Sequence, residues 1–188
     1  SETGTSEDVA YTLSKTLRSH FPSIPVCTWS LESYATTSLP QERIAIFVVS
    51  TTGDGEHPNS MRSFWKFILQ KSLPATSLGN TYTTVFGLGD SSYEKYNACA
   101  RRLAARLRQL GSKELIPIGL GDDSAQMGIL GSLNIWTSAI LKAVADQNQL
   151  KLKEEIDISS IANNDDDEYS VTIVEAPVDD STDPHPDV

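Results

Sequence analysis

RIAIFVVSTTGDGE, residues 43–56, decides how this chain folds. Residues 43–50 form a nearly unbroken apolar run rich in Ile and Val. Polar residues do not alternate with apolar ones, so neither face of this strand can meet water. A strand inside a parallel sheet, with helices covering both sides, meets that condition. The run breaks at once into Ser50, Thr51, Thr52, Gly53, Asp54, Gly55 and Glu56. Two glycines let the backbone turn sharply and let a flat molecule come close to it. In open α/β sheets, ligands sit outside this end of the strands.

Outward from this stretch, apolar periods of 3.6 residues alternate with short apolar runs. A helix is expected over 6–20, with Val9, Ala10, Leu13 and Leu17 on one face. Thr5 or Ser6 can cap it, and Glu7 and Asp8 suit the positive end of its dipole. Strands are expected over 24–29, 81–88 and 114–120, and helices over 60–71, 93–110 and 133–146. Gly111 suits the left-handed position just past a helix end. This alternation predicts an α/β fold, a doubly wound parallel sheet with helices on both faces. The first helix has no strand before it. The sequence therefore reads as starting just after a missing first, central strand, or else as a sheet of four strands.

The net charge is −10, and nine carboxylates with no Lys or Arg lie between Asp165 and Val188. Residues 1–164 are thus nearly neutral. Residues 1–150 read as one domain, and 151–188 as an acidic linker or disordered tail. An acidic chain repels phosphates, so nucleic acid is not an expected partner, and a basic protein face is. Cys27 and Cys99 lack CxxC spacing and read as reduced core residues. There is no signal-peptide pattern and no apolar run of roughly 18 residues. The expected location is the cytoplasm.

Four loops at the strand ends carry the chemistry. Ser1, Glu2, Thr3, Gly4, Thr5 and Ser6 open the first helix with hydroxyls and a glycine, which suits a phosphate monoester. No Lys of a nucleotide-triphosphate loop is present. The same residues also read as a plain polar cap. The loop of residues 50–56 is the second. The third is Leu88, Gly89, Asp90, Ser91, Ser92, Tyr93, Glu94, Lys95, Tyr96 and Asn97, where an aromatic ring can stack on a planar heterocycle or simply pack on the protein. Asp122 and Asp123 follow the last strand and suit a polyol chain or a solvated rim. Asp54, Glu56 and His57 form too thin a set for a metal site. A hydrolase built on Ser91 would need a histidine base, and His57 is the nearest in sequence. Neither a metal ligand nor a catalytic side chain is assigned.

SETGTSEDVA, STTGDGEHPNSMRSFWKFI, FGLGDSSYEKYNACARRLAARLRQLG and IPIGLGDD resemble the FMN-contacting segments of diflavin reductases, over roughly residues 1–145. TTGDGE-x-P-N-x-M-x-x-FW-x-F-I with LGDSSYEKYN is most similar to the NADPH-dependent branch that serves cytosolic iron–sulfur cluster assembly. Cytochrome P450 reductases come next. Thr52 stands where those enzymes carry Tyr, and Lys95 and Tyr96 stand where they carry His and Phe. The resemblance implies a flavodoxin-like fold that holds FMN. Residues 1–6 would cradle its phosphate, and Ser50, Thr51, Thr52 and Gly53 would border the ring. Leu88 to Asn97 would form the other wall, with Tyr93 stacked on the ring and Asp123 near the ribityl chain. It further implies electrons from an FAD domain fed by NADPH, neither bound by this chain, and an anamorsin-type iron–sulfur protein as acceptor. A free-standing flavodoxin and a cofactor-free interaction module are the alternatives.

Overall fold

The computed structural model describes residues 5–52, 55–148 and 171–174. The elements are α1 (Thr5–His20), β1 (Val26–Trp29), β2 (Ile44–Ser50), α2 (Arg62–Ile68), β3 (Tyr82–Gly89), α3 (Ala98–Gln109), β4 (Lys113–Glu114), β5 (Gly119–Asp122), α4 (Gly128–Gln147) and β6 (Val171–Val174). Short 3₁₀ turns at Thr36–Gln41 and Asn59–Met61 lead into β2 and α2.

β2 is buried from Ile44 to Val49, as its composition requires. Its side chains alternate between two cores. Ile44, Ile46 and Val48 join Leu13, Leu17, Phe86, Trp136 and Ile140 beneath α1 and α4. Ala45, Phe47 and Val49 join Phe64, Ile68, Leu103 and Leu107 beneath α2 and α3. The period of 2 along the strand thus feeds both helical layers. β2 and β3 pair in parallel from Ile44 with Tyr82 to Ser50 with Leu88, which brings their carboxyl ends level. β4 and β5 pair in succession along the far side of β3, also in parallel.

The sheet order is β1-β6-β2-β3-β4. The position between β1 and β2 holds Val171–Val174, which runs antiparallel to both. The strands are therefore parallel except for β6, and a segment from the stretch read as linker or tail is part of the sheet. The remainder of 149–188 lies outside the described residues.

Tertiary contacts redraw several predicted boundaries. The expected helix over 60–71 starts as a 3₁₀ turn and ends at Ile68. Arg106 then takes its exposed carbonyls, donating from Nε to Ile68 O at 2.6 Å and from Nη2 to Gln70 O at 3.3 Å. The expected strand over 114–120 is two short strands around Pro117, which has no N–H to give a ladder. α4 begins at Gly128, inside the expected loop. At the end of α3, Gly111 has φ +89°. Its amide bonds Arg108 O, and Ser112 N–H bonds Leu107 O, closing the helix as the glycine predicted. α4 is long and apolar enough by composition to cross a membrane. Its Leu133, Trp136, Ile140, Leu141, Val144 and Ala145 are instead buried against the sheet and α1.

Candidate functional site

A cavity of about 450 Å³ opens at the carboxyl ends of β2, β3 and β5. Thr5, Ser50, Thr51, Leu88, Gly89, Asp90, Tyr93, Lys95, Tyr96, Asn97, Asp123 and Ile129 line it. Three of the four predicted loops meet here, and Thr5 brings the start of α1 from the first. Ser6 is buried beneath that start, and Thr52 pairs with Glu56 beside the cavity. Ser91, Ser92 and Glu94 are exposed and do not line it. Ser1, Glu2, Thr3, Gly4 and Gly53 lie outside the described residues. Ile129 was missed by the sequence reading. It lies in the first turn of a helix that seemed to start later, and only the fold carries it to the wall.

The register of the sheet ties the loops to one another. Thr51 N–H donates to Leu88 O at 3.2 Å, and Asp123 N–H donates to Gly89 O at 2.9 Å. The Thr51 hydroxyl accepts the Cys99 amide at 3.3 Å. Tyr96 Oη donates to Leu120 O at 3.2 Å. Burial pushes the Tyr96 hydroxyl above its ordinary pKa.

Asn97 is the hub. It is fully buried, and its φ of +53° breaks the predicted helix over 93–110, so α3 starts only at Ala98. Asparagine tolerates this left-handed conformation better than most residues. Its Nδ2 donates to Gly121 O at 2.9 Å, bridging β3's loop to β5. A Cβ built on Gly89 would lie 2.9 Å from Asn97 Oδ1, so the glycine is what lets the asparagine in. Asn97 Oδ1 and Ser50 Oγ are buried with no protein partner. Unpaired buried polar atoms are costly, and both belong to cavity-lining residues.

The acidic rim is organised rather than merely solvated. Asp122 accepts the amides of Ser91 at 2.8 Å and Ser124 at 3.1 Å. Asp90 accepts the Ser92 amide at 2.8 Å and the Ser124 hydroxyl. The Ser124 hydroxyl foremost holds Asp90 below the ordinary carboxylate range, and the Ser91 amide does so for Asp122. Groups with depressed folded values stabilise above the unfolded value of about 3.9 and lose that contribution as pH falls through the folded value. The Ser91 and Ser124 amide NMR shifts are accordingly expected to stay flat between about pH 5 and 8 and to move only below about pH 4. A transition near neutrality would refute this account of the rim.

The hydrolase alternative gains no support. The His57 ring packs against Trp65, with centroids 5.8 Å apart, and His57 does not line the cavity.

Known proteins match this arrangement. Residues 1–136 match the family model for flavodoxin. The chain is 40% identical over 152 residues to NADPH-dependent diflavin oxidoreductase 1 of Bos taurus, covering 81% of this chain and 25% of that protein. It is 41% identical over 140 residues to the protein of the same name from Dictyostelium discoideum, covering 74% of this chain and 22% of that protein. The chain thus spans about a quarter of the length of these curated relatives. Among solved structures, a cysteine-to-alanine mutant of flavodoxin from Pseudomonas aeruginosa superposes with a TM-score of 0.63 at 26% identity, over 74% of this chain and 91% of that one. A flavodoxin of Streptococcus pneumoniae TIGR4 gives 0.63 at 22% identity, over 76% and 93%. The alternating sheet, the cavity at its strand ends and the family match over most of the sequence agree: this chain belongs to the flavodoxin family.

Proposed function

We propose that the chain is the FMN-binding, electron-carrying module of an NADPH-dependent diflavin oxidoreductase. The observation that carries this reading is the cavity at the strand ends, whose lining combines hydroxyl, amide and carboxylate residues with an exposed aromatic ring, Tyr93, at its edge. FMN fits that chemistry, being a flat ring with polar edges, a polyol chain and a phosphate monoester. The cavity volume falls in the usual range for such ligands, about 300–1,000 Å³.

The roles follow from the residues. Tyr93 is 68% exposed at the edge, where it is available to stack on a ring. Ser50 and Asn97 line the cavity where the edge of that ring would lie. Thr5, at the start of α1, lines the cavity, and helix starts favour a phosphate. Residues 1–4 would complete that cradle. Asp123 suits the ribityl hydroxyls. Bound FMN supplies the redox chemistry, while the protein supplies position and electrostatics. No side chain here acts as acid, base or nucleophile.

The finer reading rests on the resemblance of the four loops and on the relatives' names. Electrons enter from an FAD/NADPH domain of the same enzyme and leave for an anamorsin-type iron–sulfur protein in the cytoplasm. Residues 1–150, completed by the strand Val171–Val174, form the module, and the acidic stretch after that strand is a linker toward the next domain. The acidic rim suits a basic docking face and sets the rate and salt dependence of encounter.

The test is titration of the purified chain with FMN, read by quenching of flavin fluorescence. Saturable quenching with a micromolar or tighter Kd is expected, with weaker binding of riboflavin, which lacks the phosphate. Absence of quenching sinks the reading. Tyr93→Ala is expected to weaken FMN binding by about 1–3 kcal/mol, roughly 5- to 150-fold. The same change should leave fold stability within about 0.5 kcal/mol, because the ring is exposed. Unchanged affinity in Tyr93→Ala would remove Tyr93 from the site.

A further inference from the structure

Gly55 and Lys95 lie in different loops, the first after β2 and the second after β3. Gly55 has φ +83°, a conformation that side chains other than glycine rarely adopt. It sits in a closed turn. Thr52 N–H donates to Glu56 O and Glu56 N–H donates to Thr52 O, each at 2.9 Å, and Gly55 N–H donates to Thr52 O at 3.1 Å. A Cβ built on Gly55 would lie 2.7 Å from Lys95 Cδ and 2.8 Å from Lys95 Cβ. The bare face of the glycine therefore rests directly on the aliphatic stem of Lys95. Lys95 also lines the cavity and is the only cationic residue among the described residues that do so. Its charge invites an electrostatic role, yet the contact it makes here is made by its methylenes, as long basic side chains commonly do.

We propose that Lys95 is a positioning residue whose stem, not its charge, is the surface on which Gly55 rests, so that the loop after β2 and the cavity-lining loop that carries Lys95 hold each other in place. The inference rests on the FMN reading for its consequence, and on the ligand-free chain alone for its geometry. The register of the sheet explains the pairing. Ser50 and Leu88 are level partners at the ends of β2 and β3, so the two loops leave the sheet side by side. Thr52 and Glu56 close on each other through their backbone bonds and through the Thr52 hydroxyl, which donates to Glu56 O. A packed neighbour is what orients such a turn.

Two variants separate stem from charge. Lys95→Met keeps an unbranched apolar chain and removes the charge, while Lys95→Ala removes both. Amide hydrogen exchange is measured on the ligand-free 188-residue chain, and FMN affinity by fluorescence quenching. In Lys95→Ala, the Gly55 and Glu56 amides are expected to exchange about tenfold faster, the effect of losing contact with one or two methylenes. FMN affinity is expected to fall several-fold. Lys95→Met is expected to restore the exchange rates to within about twofold of the native chain, since an exposed charge contributes little. Unchanged exchange in Lys95→Ala would overturn the proposal. So would a Lys95→Met variant whose Gly55 and Glu56 amides exchange as fast as those of Lys95→Ala, because the charge would then be the active element. Failure of the native chain to bind FMN would sink the cofactor reading, and the exchange comparison would still judge the stem.

Discussion

Phe86→Ala is expected to destabilise the chain by about 3–5 kcal/mol, the cost of emptying a large, fully buried aromatic site. The ring lies in the core beneath α1 and α4 and packs on Trp136, with centroids 4.9 Å apart and planes inclined at 45°. It also fills the space over Gly119 on the neighbouring strand. A Cβ built on Gly119 would collide with the Phe86 ring and would lie 2.8 Å from Trp136 Cδ1. Neither β3 nor β5 can move to fill the void, because they are held by the ladder from Phe86 with Gly119 to Gly89 with Asp122. At roughly 2–4 °C per kcal/mol for a chain of this size, the melting temperature should fall by about 6–20 °C. A loss below about 1 kcal/mol by chemical denaturation would show that the site collapses. The partner position gives a second check. Gly119→Ala alone should destabilise by overpacking, and it should be better tolerated in the Phe86→Ala background, where the obstructing ring is gone. Residues in contact couple in this way, and independent ones do not.

The second large effect is expected at Gly87, one residue further along β3. A Cβ there would lie 2.6 Å from Ala100 Cβ and closer still to Asn97 Oδ1. Overpacking of this kind typically costs about 1–3 kcal/mol. The consequence extends to function. The new methyl group pushes on Asn97, and Asn97 is what joins the loop after β3 to Gly121 in the wall of the cavity. Gly87→Ala is therefore expected to weaken FMN binding by about tenfold or more, the equivalent of about 1.4 kcal/mol, the scale of one hydrogen bond. Asn97→Gly keeps the left-handed backbone and removes the obstructing side chain. In the double variant it should return part of the lost stability but not the affinity. Native affinity in Gly87→Ala would show that Asn97 does not position the site.

Much of this protein was legible in its residues. The apolar run of residues 43–50 meant burial on both faces, and β2 is buried from Ile44 to Val49. Gly111 meant a helix end, and it closes α3. The loops after the strands meant a ligand site, and residues from three of them line one cavity together with Thr5 from the segment that opens α1. These features follow from local chemistry, in which period, glycine and turn type act over a few residues and need no distant partner.

What failed to show in the sequence depends on distant partners. Residues 93–97 carry helical periodicity, yet Asn97 adopts a left-handed conformation because its amide is bonded to Gly121, 24 positions away. The helix over 60–71 stops early where Arg106 offers its carbonyls better partners. Ile129 reaches the cavity only because α4 starts in what composition marked as loop. The pairing of Gly55 with Lys95 spans 40 residues and comes from strand register. β6, a segment of acidic surroundings, enters the sheet because β1 and β2 leave hydrogen-bonding edges that a strand from anywhere in the chain can satisfy. The sequence by itself determined the layers, the strand ends and the kinds of residue gathered at the site. Only the tertiary structure decided which of them touch, because contacts between loops are set by sheet register and core packing, and neither is written in any one segment.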